Sequence, residues 1–420
     1  MRVAVMAQQA SAGGGTRFLR PLVRALIENY PDMHITVLIN AYSADKFGAA
    51  AGFDHDRVEI ATVDPILCTL PVNPPTTLWG KLRNLASVAR GRDQVTLLRK
   101  ASEEIARRTA EFDLLYLSWP YFLEPFAVAM PVVGTFHDFN FKHDFGTLGP
   151  DFVSQLERQV PYWISTSDVV VASSTFIGEE ISTHYGEIAP DIRVIRLSTL
   201  LSGEPETQEV RAAIAAHGIP DDYVICPSNV APHKNLSALL RAYSQVRSSG
   251  GPPLVLIGSG TDVLSRGASS GIAPANVPHL IDAFDDSGLV IGQDLFALGY
   301  VSDQAADALI AGARLLVAPS LYEAGSGPGL DAWALETPVA MSAIPPFEEH
   351  LAFLGVEADL FDPSQPDDIA RTILAALGDD SRLHLMASRS REAMDHYTWS
   401  DVAMGYREAF ESAIAAHPRS

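Results

Sequence analysis

Short apolar runs alternate with longer amphipathic stretches through the first half of this 420-residue chain. The runs RVAVMAQ, HITVLIN, DLLYLS, PVVGTFH and DVVVASS predict buried strands. The stretch RFLRPLVRALIENY predicts a helix, because its apolar residues recur at helical spacing. Continuous apolar strands that are separated by helices indicate a parallel sheet covered on both faces.

The second half repeats this pattern. The runs YVICPSN, PLVLIGS, LFALGYV, RLLVAPS and TPVAMSA predict strands, and LSALLRAYSQVRS, DQAADALIAGA and the last amphipathic stretch, TWSDVAMGYREAFESAIAAH, predict helices. The polar, Gly- and Pro-containing segment 197–210 is the predicted linker. We therefore expect an α/β protein with two Rossmann-like, doubly wound domains, 1–200 and 205–396, whose carboxyl-end loops face a cleft.

Composition excludes several classes of protein. The formal net charge of −21 argues against general nucleic-acid binding, which needs a basic surface. Two cysteines, Cys68 and Cys226, fit a reducing compartment without disulfides. The start MRVAVMAQQ is too polar for a signal peptide, and no apolar run reaches the roughly 18 residues of a membrane span. We expect a cytoplasmic protein, with contact at the inner membrane face left open.

The stretch EAGSGPGLDAWALETPVAMS, 323–342, combines two acids with a glycine-rich turn before a helix. Glycines let a ligand approach the backbone, and the N–H groups of a helix start favour an anion. Glu323 could accept hydrogen bonds from sugar hydroxyls and Asp331 from a ribose diol. The alternative is a glycine-rich turn with a capping acid.

Two further loops fit phosphate binding. In PSNVAPHKNLSALL, Lys234 follows a strand and precedes a helix, where it could contact a phosphate; the alternative is a surface lysine with Asn235 as helix cap. In AQQASAGGGTRF, residues 13–15 form a glycine turn that departs from G-x-G-x-x-G, so dinucleotide binding is disfavoured.

Histidines and acids elsewhere suggest catalysis more than metal binding. His137 and Asp138 in VVGTFHDFNFKHD follow a predicted strand end, where His137 could act in catalysis; the alternative is a packed histidine. His143 lies nearby, but no further ligand cluster supports a metal site. Asp54 and Asp56 resemble a D-x-D motif, and we interpret them as a solvated loop.

A basic segment interrupts the acidic chain between Trp79 and Arg108, where eight Lys and Arg residues outnumber three acids. Apolar residues are interleaved with them. We hypothesise that this segment contacts an anionic lipid surface or a lipid-diphosphate acceptor. The alternative is an ordinary solvated helix face.

Taken together, these motifs resemble retaining glycosyltransferases of family 4, which have the two-Rossmann GT-B fold. EAGSGPGLDAWALETPVAMS is similar to the E-x7-E signature of that family, PHKN to its phosphate-lysine loop, GGGTRF to its glycine turn and FHD to its cleft histidine. LFDPSQPDDIARTILAAL and TWSDVAMGYREAF match its later landmarks.

The resemblance implies a site and a reaction. His137, Lys234 and Glu323 would be catalytic, with Lys234 on the phosphates and Glu323 on the sugar of a nucleotide-diphosphate donor. Donor-binding residues would also be Gly14, Gly15, Asn229, Gly325, Ser326, Gly327 and Asp331, the last on the ribose. The helix of 397–420 would cross back onto the first domain, and no metal or other cofactor would be needed.

Departures from the family pattern leave the donor open. Asp331 stands where the family has Glu, Asn229 where it commonly has Arg, and IRLST where it often has NG. PHKN favours GDP-mannose and a role in bacterial polysaccharide or glycolipid synthesis, with a glycan or lipid-linked acceptor. The alternatives are a nucleotide-sugar epimerase or hydrolase on the same fold, and a catalytically silent binding protein.

Overall fold

The computed structural model describes residues 1–7, 14–40, 53, 55–63, 103–105, 107–109, 111–121, 123–143, 145, 149–201, 203–266 and 277–417. The chain divides into two compact units. The first comprises Met1–Phe139, Leu148–Leu197 and Trp399–Ser420, and the second Asn140–Thr147 and Ser198–Thr398. The predicted first domain included 140–147, which the structure groups with the second unit.

Seven strands in the described part of unit 1 form one parallel sheet with the order β3-β2-β1-β4-β5-β6-β7. They are β1 Arg2–Met6, β2 His34–Asn40, β3 Val58–Val63, β4 Leu114–Leu117, β5 Val132–Phe136, β6 Val169–Ala172 and β7 Asp191–Val194. Helices in the described part of this unit include α1 Gly14–Asn29, α2 Pro150–Thr166, α3 Thr175–Tyr185 and α13 Trp399–Ala416.

Six strands in the described part of unit 2 form a second parallel sheet with the order β10-β9-β8-β11-β12-β13. They are β8 Val224–Pro227, β9 Leu254–Ile257, β10 Leu295–Gly299, β11 Leu315–Ala318, β12 Val339–Ser342 and β13 Asp359–Phe361. The helices are α4 Thr207–His217, α5 Leu236–Ser248, α6 Val263–Arg266, α7 Val277–Ser287, α8 Asp303–Ala311, α9 Gly327–Ala334, α10 Pro345–Leu354, α11 Pro366–Leu377 and α12 Asp380–Met394.

Both strand orders contain a switch point, where the chain leaves one side of the sheet and returns on the other. The switch points lie between β1 and β4 and between β8 and β11. Ligands of open α/β sheets bind outside the carboxyl ends of the strands at such points. The loops that follow these strands are therefore the first place to look for a site.

The strands predicted from apolar runs are all present, and three strands were not predicted. β3, β7 and β13 are edge strands with partly exposed residues, so they lack the continuous apolar run of a central strand. The predicted glycine turn also differs, because α1 begins at Gly14 and takes Gly14 and Gly15 into its first turn. The penalty for glycine applies mainly to the interior of a helix, so the first turn tolerates it better.

Helix α13 packs into unit 1 through buried aromatic side chains. The hydroxyl groups of Tyr116 and Tyr406 both lie 2.9 Å from the Thr135 hydroxyl, inside the sheet. Phe410 is fully buried and packs on the same tyrosines at ring distances of 5.5 and 6.0 Å. The last helix of the chain thus completes the core of the first unit.

We predict that Phe410→Ala lowers the free energy of unfolding by about 3–5 kcal/mol, because it leaves a cavity in this core. Met404→Ala on the same helix is the control: Met404 is 51% exposed, so the change should cost less than about 0.5 kcal/mol. Denaturant titration of both variants measures the difference. Equal effects of the two changes would contradict the placement of α13.

Candidate functional site

The lysine loop follows β8, at the switch point of the second sheet. Residues Pro232–Lys234 form one turn of 3-10 helix, and α5 starts two residues later. The backbone N–H of Leu321 donates to the His233 carbonyl at 2.7 Å, which joins this loop to the turn that follows β11. Two loops from adjacent strands are thus held together at one edge of the sheet.

The side chain of Asn235 joins the lysine loop to two other loops of unit 2. Its φ of 58° is a left-handed conformation that asparagine tolerates better than most residues. Its side-chain amide does not cap α5; it donates to the carbonyls of Pro319 at 3.0 Å and Pro363 at 2.8 Å. The alternative interpretation of this loop made Asn235 a helix cap; it stands at the N-cap position of α5, and its side chain cross-links three loops.

The side chains of Lys234 and Glu323 form an ion pair. The Lys234 ammonium Nζ donates to Glu323 Oε1 at 2.5 Å, and both side chains are about four-fifths buried. The Ser320 hydroxyl donates to the same Oε1 at 2.7 Å. Ser320 was missed at the sequence level, although a polar residue directly after the β11 run was a usable signal.

The start of α9 forms one wall of the site. Pro328 has no N–H, and the N–H groups of Gly329 and Leu330 bond to the side chain and the carbonyl of Ser326. The Ser326 N–H faces His350 Nδ1 at 3.4 Å. Within the described part of the chain, the N–H groups of Gly325 and Gly327 have no acceptor and remain available to a ligand.

The two available glycines differ in what surrounds them. A Cβ on Gly325 would lie 2.7 Å from His350 Cε1, so packing already requires glycine there. A Cβ on Gly327 would meet only Leu200 Cδ1, at an ordinary 3.7 Å. Packing among the described residues therefore does not explain Gly327, whereas close approach of a ligand would.

Lys234, Glu323, Ser320 and Ser326 line one small pocket that is open to solvent. Its walls are the strand ends 226–228 and 318–320, together with Lys234, Glu323, Ser326 and Phe347. Cys226 is buried there, and burial raises the pKa of its thiol to about 12. The cavity is polar at the ion pair and the helix start and apolar at Phe347.

The sequence predicted that Asp331 binds a ribose diol, and in the structure this acid pairs with its own chain. Its side chain is buried, and Oδ1 accepts hydrogen bonds from the Leu200 N–H at 2.7 Å and the Thr199 hydroxyl at 3.1 Å. Both donors belong to the predicted linker. The structure therefore connects this acid, which lies within α9, to the segment that precedes α4.

Asn229 stabilises its own loop. Its side chain is exposed, and Oδ1 accepts from the Ala231 N–H at 2.9 Å, which closes a local turn. Gly258 approaches the same loop so closely that a Cβ would lie 2.1 Å from the Ser228 carbonyl oxygen. Its φ of +133° also requires glycine. A donor-binding role for Asn229 stays a prediction.

His137 lies in unit 1, after β5. Its ring stacks on Trp119 at 4.8 Å and meets the edge of Phe18 at 4.8 Å. Burial lowers its pKa to about 4, with a hydrogen bond to the Ser118 backbone acting in the opposite direction. Its other nitrogen, Nε2, is buried and has no hydrogen-bond partner among the described residues. The ring is therefore neutral at pH 7.

In unit 1, as in unit 2, the segments that follow the strands at the switch point carry the residues of interest. Phe18 and Trp119, the ring partners of His137, lie in such segments. Phe18 belongs to α1, which follows β1, and Trp119 follows β4, so both flank the β1–β4 switch point. Gly14 and Gly15 open α1 in the same place. Sequence reasoning found His137 and the glycines but missed Trp119.

The remaining sequence hypotheses meet the structure unevenly. His143 and Phe145 pack on Tyr322, at ring distances of 4.7 and 6.0 Å, in unit 2. The described residues contain no group of three or more His, Cys, Asp or Glu that could hold a metal. Asp54 lies outside the described residues. So does segment 79–108, except for 103–105, 107 and 108. In that short stretch Arg107 and Arg108 both bond to Glu104. None of the described helices combines the length and the apolar composition of a membrane span.

Comparisons with known proteins find a matching family model and several relatives. Residues 210–393 match the family model of glycosyl transferases group 1. The chain is 24% identical over 244 residues to the serotype-specific mannosyltransferase WbdA of Escherichia coli; the match covers 56% of this chain and 28% of that relative, so it spans well under a third of the relative's length. It is 25% identical over 273 residues to the O-antigen chain mannosyltransferase B of Escherichia coli. That match covers 64% of this chain and 67% of the relative.

Among solved structures, Anabaena HepE in complex with UDP and glucose superposes with a TM-score of 0.66. The superposition covers 98% of this chain and 100% of that one at 16% identity, which shows the fold. The two doubly wound units account for this similarity over the full length. The chain therefore has the GT-B fold, and its residues 210–393 match the family model of glycosyl transferases group 1.

Proposed function

We propose that the chain is a retaining glycosyltransferase that moves a sugar from a nucleotide-diphosphate sugar to an acceptor hydroxyl. The observation that carries this proposal is the contact between Lys234 and Glu323 beside the unoccupied N–H groups of Gly325 and Gly327. One cation and one carboxylate in a single cavity, followed by a glycine-rich turn with two available amides, match a ligand that is anionic at one end and polyhydroxylated at the other. The group 1 family match supports the same chemistry.

The diphosphate is the natural ligand for the positive groups. Negative charge grows on it as the bond to the sugar breaks, and fixed donors in a water-poor site stabilise such charge by several kcal/mol each. Lys234 supplies a full charge, and the Gly327 N–H supplies the partial charge of a helix start. We infer that these two groups bind the leaving phosphate.

Glu323 then changes partners. With Lys234 on a phosphate, its carboxylate becomes available to sugar hydroxyls, which are good donors to an acid. Ser320 bonds to the same oxygen as Lys234 does, so it can keep Glu323 in place when the lysine moves. The ion pair is thus a resting arrangement of the site, with each member poised for one half of the donor.

His137 contributes as a neutral ring. Because one ring nitrogen is bonded to the Ser118 backbone, the unpartnered Nε2 can serve a sugar hydroxyl of the donor. No described carboxylate besides Glu323 lines the unit 2 cavity, and we assign Glu323 to the sugar hydroxyls, held by Ser320. We therefore favour attack on the same face of the sugar, with the leaving phosphate taking the proton of the acceptor hydroxyl.

Relatives guide the choice of donor and acceptor. Two relatives are named mannosyltransferases, one of them for the O-antigen chain, so we propose GDP-mannose as donor and a growing polysaccharide or glycolipid as acceptor. We propose that catalysis needs no metal, because Lys234 and the helix start supply the positive charge. A cytoplasmic location, with peripheral membrane contact through segment 79–108, remains a prediction.

Replacement of Lys234 by Ala should reduce transfer from GDP-mannose by about 100-fold or more, because the leaving diphosphate loses its cation. Glu323→Gln should reduce it as well, since the amide binds sugar hydroxyls less strongly than a carboxylate does. Arg241→Ala, at an exposed position on α5, is the control and should stay within about twofold of the parent. Rates of transfer to an O-antigen-type acceptor measure the effect, and incubation with donor alone separates transfer from hydrolysis or epimerisation. Parent-like rates in both site variants would refute these roles.

Gly327→Ala should weaken nucleotide binding without loss of stability. Its Cβ has room against Leu200, and Ala is favoured over Gly in a helix by up to about 1 kcal/mol, so the free energy of unfolding should hold or rise. The added methyl group would stand where we place the phosphate. Thermal-shift titration with GDP, GDP-mannose, UDP and UDP-glucose measures this, since a ligand at about 100 times its Kd stabilises the parent by about 2.7 kcal/mol.

Gly325→Ala serves as the matched variant in that titration. Its Cβ collides with His350, so it should lower the free energy of unfolding even without ligand. If Gly327→Ala binds all four nucleotides as the parent does, the proposed phosphate position is wrong.

Protonation of His137 should destabilise the protein in acid. Its pKa is about 4 in the folded chain against 6.5 ordinarily, so the unfolded chain binds more protons between these values. The free energy of unfolding should therefore fall as the pH is lowered from 6.5 to 4, by up to about 3 kcal/mol from this residue. His137→Gln should show a shallower fall in urea titrations across this range. An unchanged slope would mean that His137 is not buried as a neutral ring.

A further inference from the structure

Asp331 is a buried carboxylate whose partners lie in the segment 198–201. Only 1% of the residue is exposed, and Oδ1 accepts from the Leu200 N–H and the Thr199 hydroxyl at 2.7 and 3.1 Å. A buried charge needs such donors, because an uncompensated one is expensive to keep away from water. The pairing therefore stabilises both the acid and the segment that it binds.

The segment 198–201 begins the long part of unit 2, Ser198–Thr398. Its first residue, Ser198, donates its hydroxyl to the Tyr397 carbonyl at 3.0 Å, one residue before the unit ends at Thr398. Its Leu200 side chain lies opposite Gly327, with Cδ1 3.7 Å from the position of an added Cβ. The segment thus contacts the last residues of the unit at one end and the first turn of α9 at the other.

We propose that Asp331 is a positioning residue for donor binding and not a ligand of the ribose. This inference rests on the proposed function. Asp331 sits in α9 four residues after Gly327, one helical turn away, so its bond to Leu200 fixes the neighbour against which Gly327 packs. Loss of that bond frees Leu200 to move, and the Gly327 N–H loses its fixed direction toward the phosphate.

The side-chain length agrees with this role. Aspartate is one methylene shorter than glutamate, and here that length brings Oδ1 to a backbone N–H at 2.7 Å. A carboxylate that is 99% buried and already accepts two hydrogen bonds is not presented to the hydroxyls of a ligand. The 2′- and 3′-hydroxyls of a nucleotide should therefore contribute little to binding through Asp331.

Three variants separate positioning from ribose binding. Asp331→Ala removes the acceptor, Asp331→Asn keeps an oxygen that can accept from Leu200 and Thr199, and Thr199→Val removes one donor without touching the acid. The probes are GDP, UDP and their 2′-deoxy forms, titrated by calorimetry against the full-length chain. Transfer assays with GDP-mannose then divide each effect between KM and kcat.

We expect Asp331→Ala to raise the Kd of GDP and of 2′-deoxy-GDP by the same factor, about tenfold. Asp331→Asn should restore binding to within about threefold of the parent, and Thr199→Val should fall between the two. In transfer assays Asp331→Ala should raise KM for the donor more than it lowers kcat, since it acts on the phosphate contact. If Asp331→Ala fails to fold, the Asn and Val variants carry the same comparison.

Two results would overturn the inference. A parent chain that binds GDP at least about tenfold more tightly than 2′-deoxy-GDP, with that preference lost in the Asp331 variants, would show that the acid binds ribose. Failure of the parent to bind any of the four nucleotides would overturn the proposed function, and this inference with it. The first result leaves the proposed function intact, so the two failures are distinguishable.

Discussion

Lys234 and Glu323 can meet only because β8 and β11 are neighbours in a parallel sheet and end at the same edge. The two residues are 89 positions apart in the chain, and their contact depends on the crossover that returns the chain to the centre of the sheet. Everything else at the site supports this meeting. Leu321 joins the two loops through the backbone, Asn235 holds both to the loop after β13, and Ser320 fixes the acid.

Rigid support of this kind is what a transfer site requires. Groups that stabilise charge in a transition state are effective when they are already oriented, because they then need no rearrangement as the bond breaks. Here the orientation comes from backbone carbonyls and prolines more than from flexible side chains. The cross-links at Asn235 place the lysine loop on the ends of three strands, and those strands belong to the buried core of the unit.

The sequence predicted the fold and the two key residues for a common physical reason. Central parallel strands must be apolar along their whole length, so their ends are visible, and polar residues directly after them stand out. Lys234, Glu323 and His137 were found in this way. Edge strands β3, β7 and β13 lack that signal, because one side of each faces solvent.

The partners of those residues could not be predicted in the same way. A hydrogen bond between positions 331 and 200, or 235 and 363, depends on how loops from different strands pack, and no local pattern encodes it. Asp331 illustrates the consequence. Its place in the motif suggested a ligand of the ribose, and the contacts seen in the structure are with Leu200 and Thr199 of its own chain. The position of a residue in a motif predicts where it lies in the fold, whereas its contacts with other groups indicate its role.

The net charge of the chain limits how the site can attract an anionic ligand. The chain carries a net charge of −21, so long-range forces repel a diphosphate from the protein as a whole. Lys234 does not offset this at a distance, because Glu323 neutralises it in the resting pair. In the proposed reaction, attraction for a phosphate therefore has to arise at short range, where the ligand would replace Glu323 as the partner of Lys234 and meet the N–H groups of Gly325 and Gly327. Such a site favours a ligand that reaches all of these groups at once, since an isolated phosphate would break the ion pair and leave Glu323 without hydroxyl donors from a sugar.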